Sequence, residues 1–140
     1  LMKVKLIFSM VVITSFVLTF NMCKEDNRQL GCGEEVGLEE NYINITAKDS
    51  LYSFKVKNGI WWITSLKTIV GQDTLYPQLE VDSMRNPIKG DWYSIKRSSH
   101  QLIIHVDENQ YEYPRQLFVG LQSGNCFDGI WVEQSMKKDR

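Results

Sequence analysis

The stretch 90-GDWYSIKRSSHQLIIHVDENQYEYPRQLFVGLQSGNCFDGIWVEQS-135 alternates apolar and polar residues between turn signals, and its reading decides the fold. Leu102, Ile104 and Val106 share one face of a strand predicted over 101–106, with His105 on the other. Ser98, Ser99 and His100 turn the chain into that strand, and 107-DENQ-110 ends it. The pattern returns over 116–122 with Leu117, Val119 and Leu121 together; Ser123, Gly124 and Asn125 turn; and 128–134 places Ile130 and Val132 inward. Over 91–96, Trp92, Ser94 and Lys96 oppose Tyr93 and Ile95. A period of two with no helical period predicts consecutive antiparallel strands.

Working outward from there, 42–48 alternates weakly and suits an edge strand, while 51–56 sets Tyr52, Phe54 and Val56 against Ser53, Lys55 and Lys57. Asn58-Gly59 is a strong hairpin signal because both residues accept positive φ, so 51–56 is expected to pair with 60–66. Residues 67–89 are less regular, broken by Gly71, Pro77 and Pro87, and are expected to hold a small hairpin and a surface loop. The sum is an all-β domain over 42–136, an antiparallel β-sandwich of about seven or eight short strands, followed by a charged tail, 137–140.

Ahead of the domain, Lys3 and Lys5 precede the uncharged run 6-LIFSMVVITSFVLTF-20, the layout of a secretory signal over 1–22. The run is short for a spanning helix and carries Ser9, Thr14, Ser15 and Thr19. Cys23 at its end resembles the lipidation site of bacterial lipoproteins, and Lys24-Glu25-Asp26 resembles the lysine-plus-acidic tag that sends such proteins to the outer leaflet of the outer membrane in Bacteroidetes. That likeness implies a lipid-anchored protein at the cell exterior, with the membrane as a partner through its acyl chains. Residues 23–41 read as a flexible acidic tether, since two basic residues there face six acidic ones and no period emerges. Beyond it, twelve basic residues stand against eleven acidic ones, which excludes the clustered positive charge of a nucleic-acid binder.

With Cys23 acylated, Cys32 and Cys126 are left either to pair in an oxidising compartment or to stay as two free thiols; spacing alone does not decide.

The order Asn58-Gly59 then Trp62, Gly90-Asp91-Trp92, a strand closing at Val106 and Asn109, Arg115 opening a strand that stops at Ser123-Gly124, and a final Ile130-x-Val132-x-Gln134 resembles the BACON domain. This is the Bacteroidetes-associated, often N-terminal module named for proposed carbohydrate binding. The likeness covers roughly residues 50–135, with a longer insertion at 67–89 and the added aromatics Tyr111 and Tyr113 before Arg115. It implies an immunoglobulin-like sandwich outside the cell that binds a polysaccharide or a surface protein complex, or that serves as a structural spacer or accessory subunit.

Sugar recognition needs exposed aromatic rings beside amides and carboxylates. Alternation sets Trp61, Tyr93 and Trp131 opposite the expected core residues Trp62, Trp92 and Val132, and Tyr111 with Tyr113 form a second patch in a loop. The same rings would equally serve as core packing, and a slip of one residue swaps every facing. No catalytic residue, cofactor or metal is expected. His100 and His105 fall on opposite strand faces, Asp107 and Glu108 read as turn formers, and no nucleophile, zinc or phosphate-loop motif occurs. Ser50, Thr74 and Ser83, each in an Asp-Ser/Thr-apolar triplet, resemble the O-glycosylation sites of exported proteins in that phylum.

Overall fold

The apolar alternation over 101–106 and 115–123 produces the two strands at the centre of the molecule, and their inward side chains meet across two layers. Leu102, Ile104, Val106, Leu117, Val119 and Leu121 are all fully buried. The computed structural model describes residues 32, 33, 35–79 and 87–137. The predicted signal segment, Cys23, the first part of the tether, Ser83 and the last three residues lie outside the described residues.

Among the described residues the elements are β1 (Tyr42–Ile45), β2 (Ser50–Lys55), β3 (Trp62–Val70), β4 (Asp73–Leu75), β5 (Ile88–Lys89), β6 (Tyr93–Ser98), β7 (Gln101–Val106), β8 (Arg115–Ser123) and β9 (Cys126–Gln134). One sheet runs β1-β9-β8-β3-β4 and the other β2-β7-β6-β5. Every pairing is antiparallel except β1 with β9, which is parallel. This is an immunoglobulin-like sandwich: β2, β7 and β6 form one layer, β3, β8 and β9 the other, and β4 extends the second as in variable-type domains.

Asn58-Gly59 does not close the expected hairpin. The strand before it pairs with β7 and the strand after it with β8 and β4, so the turn carries the chain from one layer to the other. Neither residue takes a positive φ. The reason is that the backbone groups a hairpin would have used are already engaged. Val56 N–H donates to His100 O at 2.9 Å, Lys57 N–H to Gly37 O at 3.0 Å and Asn58 N–H to Val36 O at 3.1 Å. Asn58 then shapes the corner with its side chain, accepting Ile60 N–H at 2.9 Å and donating to Ser123 Oγ at 2.8 Å.

Those partners also correct the tether. Val36 is 1% exposed and belongs to the core, and Leu38 bridges Val56, so the second half of the expected 23–41 leash is part of the packed domain. The expected hairpin within 67–89 is present as β3 and β4, turning at Gly71 with φ 61°.

A polar knot closes the end of the sandwich where β8 begins. Arg115 is only 3% exposed; its Nε donates to Gln134 Oε1 at 2.7 Å and its Nη2 to Asp107 O, while its guanidinium lies 4.3 Å from the centre of the Trp92 ring. Gln134, fully buried, donates onward to Ala47 O, Lys48 O and Asp107 O. Burial pulls the Arg115 pKa down from its ordinary value, partly offset by Asp107 and Tyr111. Even so, a guanidinium keeps its charge at any ordinary pH.

Candidate functional site

The face of the five-stranded sheet turned away from the core is set by strict alternation. On β8 the residues Leu117, Val119 and Leu121 point inward, which turns Gln116, Phe118 and Gln122 outward; on β9, Ile130 and Val132 point inward, which turns Gly129, Trp131 and Glu133 outward. Register then aligns these across strands. Tyr42 pairs with Trp131, Trp131 with Phe118, and Phe118 with Lys67, so four residues from four strands form one row.

From Trp131 to Tyr76 the row is held side chain to side chain. Phe118 and Trp131 rings are 4.9 Å apart at 42°, and Lys67 Nζ lies 5.5 Å from the Trp131 ring and 5.8 Å from the ring of Tyr76, which extends the row past β4. Five strands at ~4.8 Å spacing make this platform about 19 Å long. Two glycines seat it: a Cβ on Gly129 would meet the Phe118 ring at 2.6 Å, and one on Gly120 would meet Ser65 Oγ at 2.2 Å. The Phe118 ring therefore lies down over backbone, keeping its other face outward. Tyr42 and Tyr76 are 52% and 65% exposed.

Polar groups flank the rings. In the next row Asn44, Glu133, Gln116 and Ile69 are in register, with Gln116 Nε2 donating to Glu133 Oε2 at 2.7 Å. On the other side lie Thr64, Ser65 and Gln122, then Trp62 and Phe127, both in register with Gln122. The arrangement offers flat apolar surfaces bordered by amides, hydroxyls and one carboxylate.

Of the rings expected to face a ligand, Trp131 lies in this row. Trp61 does not: it is 1% exposed, donates from Nε1 to Ser99 O at 2.8 Å, and carries the Arg97 guanidinium 5.0 Å above its ring. Its neighbour Trp62, expected in the core, is the one that turns outward. Trp62 opens β3 and Trp61 immediately precedes it, and a bulge in that strand between Ile63 and Ser65 shifts the facing that simple alternation assigns. Tyr93 is likewise buried, packed edge-on to Trp92 at 5.3 Å and against Gly90, where a Cβ would meet its ring at 2.3 Å. Burial, with the Asp91 charge, raises the Tyr93 pKa above its ordinary value.

Tyr111 and Tyr113 are exposed as expected and stack on each other, 5.1 Å apart and 13° from parallel. Asn109, fully buried, frames their loop by donating to Tyr113 O and Ser135 O and accepting Tyr111 N–H. The Tyr113 ring sits 3.5 Å from the position of a Cβ on Gly71. This pair occupies the end of the sandwich, apart from the row by position on the strands: Val70, Arg115 and Gln134 mark that end, and the row lies three residues further along β8.

Tyr42, Phe118, Lys67 and Tyr76 were not legible as site residues. Each looks like one ring or charge on one strand, and only register brings them together.

The remaining expected sites fall as follows. Thr74 is exposed on β4, whereas the Ser50 hydroxyl at the start of β2 donates to Lys48 O at 3.0 Å. Cys32 and Cys126 are unbonded thiols, the first exposed and the second buried. Asp49, His105 and Asp107 gather where the β2–β7 ladder ends, close enough to hold a cation; Asp49 and His105 lie 56 positions apart, so residue order does not bring them together. Opposite nitrogens of His105 face the two carboxylates, Nε2 toward Asp49 at 3.2 Å and Nδ1 toward Asp107 at 3.5 Å.

Neither a family model nor a curated protein matches this chain. Among solved structures, the fold is similar to that of a protein from Bacteroides thetaiotaomicron determined by NMR, with a TM-score of 0.60 at 21% identity over 76% of this chain and 88% of that one. A structure of three immunoglobulin domains of titin also matches, with a TM-score of 0.38 at 8% identity over 73% of this chain and 31% of that one.

Proposed function

We propose that this chain is a non-catalytic, lipid-anchored surface protein that binds a glycan chain along the aromatic row of its five-stranded sheet. The observation that supports this reading is the alignment of Tyr42, Trp131, Phe118 and Tyr76 on one outward face, with Lys67 among them. Aromatic faces stack on the C–H-rich faces of pyranose rings, and Gln116, Glu133, Asn44 and Ser65 stand beside them to bond hydroxyls. A platform carried on paired strands is already ordered, so little side-chain entropy is lost on binding. The row crosses the strands, which suits an extended chain of sugars over a single one.

The test is affinity electrophoresis of residues 24–140 through a panel of polysaccharides. Retardation by at least one is expected, and Trp131→Ala is expected to weaken it about tenfold, as the loss of one aromatic stacking contact of ~1.4 kcal/mol requires. No retardation by any polysaccharide counts against glycan binding, while unchanged retardation of the variant would move the site away from this face. The anchor is tested separately. Cys23→Ala in the full chain should shift the protein from the membrane pellet to the soluble fraction, and continued pelleting would refute lipidation.

A further inference from the structure

The packed domain begins at Cys32, which is exposed, and Cys126 opens β9, 2% exposed. The residues beside the two thiols are tied to each other. Gly33 N–H donates to Asn125 Oδ1 at 3.3 Å, the Cys126 thiol reaches the same oxygen at 3.8 Å, and Leu38 N–H donates to Asp128 Oδ2 at 3.1 Å. A strap formed by Gly33 and residues 35–38 therefore runs beside the first residues of β9. Its other edge takes N–H bonds from Lys57 and Asn58, just past β2 in the opposite layer, and its Val36 side chain enters the core.

We propose that Cys32 and Cys126 close into a disulfide that locks this strap to the β8–β9 turn and so fastens the open edge between the two sheets. The oxidant is a second disulfide, on a protein or a small thiol compound. The exposed Cys32 loses its proton and attacks one sulfur of that disulfide, expelling the other as a thiolate. Cys126, deprotonated in turn, then attacks the mixed disulfide at Cys32. Two S–H bonds are lost and one S–S bond forms; the two electrons and two protons leave with the oxidant as a pair of thiols. The hydrogen bond with Cys126, then burial, then the Cys126 and Glu35 charges raise the Cys32 pKa, so closure quickens as the pH rises.

Residues 32 and 126 are 94 positions apart, so the bond closes most of the domain into one loop and removes much of the unfolded chain's freedom. Any pull on the chain ahead of Cys32 is then delivered to the β8–β9 turn, and the strap no longer has to hold by hydrogen bonds alone.

The full chain, purified in detergent, is equilibrated with oxidised glutathione; remaining thiols are capped with N-ethylmaleimide, and unreduced peptides are mapped by mass spectrometry. A linked Cys32–Cys126 peptide is expected, with the thermal midpoint of the oxidised protein above that of the reduced one by on the order of 10 °C. Cys32→Ser, at an exposed position that tolerates a hydroxyl, should abolish both. Capped thiols on Cys32 and Cys126, a glutathione adduct on Cys32 that never resolves, or a bond from either to Cys23 would overturn the assignment.

Discussion

Arg115→Leu is expected to lower unfolding free energy by about 3 kcal/mol, read as a fall in the urea midpoint at unchanged slope. The side chain is buried and bridges β8, β9 and the segment after β7 through Gln134 Oε1 and Asp107 O. Hydrogen bonds made by a charged donor contribute about 1.5–3 kcal/mol each, and losing the donor strands Gln134 Oε1 in a place water does not reach. Asp107 O keeps one partner, Gln134 Nε2 at 3.0 Å, which limits the loss at that end. The Trp92 ring loses its cation as well. Arg115→Lys should recover only part, because an ammonium on a flexible stem cannot reproduce two bonds set by a planar fork while lying over a ring. A loss under about 1 kcal/mol for the leucine variant would mean that the polar knot is not a significant element of stability.

Trp61→Ala should cost still more, about 3–5 kcal/mol, the range for removing a large aromatic side chain from a core. The indole fills the space between the β6–β7 turn and the start of β3, bonds Ser99 O and supports Arg97. Its removal leaves a carbonyl unpaired and a guanidinium without its platform. Trp61→Phe keeps most of the volume and should lose about 1–2 kcal/mol, chiefly the N–H bond and the narrower ring. Thermal and denaturant unfolding measure both. The contrast with Trp131→Ala is informative: that ring lies on the outward face, so its removal should change stability by much less than that of Trp61 while weakening glycan retention. Were Trp61→Ala to unfold normally and lose binding, the two rings would have been assigned to the wrong faces.

Much of the architecture could be read without coordinates, since the period of two is a local property of the chain. The inward sets Leu102, Ile104 and Val106, then Leu117, Val119 and Leu121, then Ile130 and Val132 are all buried as their alternation implies. Asn109 and Arg115 also stood out as strand boundaries, though not as the buried polar groups they are. Reading failed where two large rings are consecutive. Alternation requires one of Trp61 and Trp62 to face out and cannot say which, and the bulge at Ile63/Ser65 is invisible in residue type. Trp92 and Tyr93 broke the rule differently: both are buried, because Trp92 precedes β6 and packs beneath Arg115 instead of following the pleat.

Residue order by itself therefore determined which segments extend and which of their faces are oily, because each follows from neighbours one and two positions away. Tertiary structure alone decided which strands lie side by side. Asn58-Gly59 has the chemistry of a hairpin, yet the strap over 36–37 occupies the hydrogen bonds that a hairpin would have made, and the chain crosses between layers. The aromatic row exists for the same reason. Tyr42 and Trp131 are 89 positions apart and meet only because β1 joins β9 in parallel, a pairing that depends on backbone ladders and leaves no periodic trace in either segment.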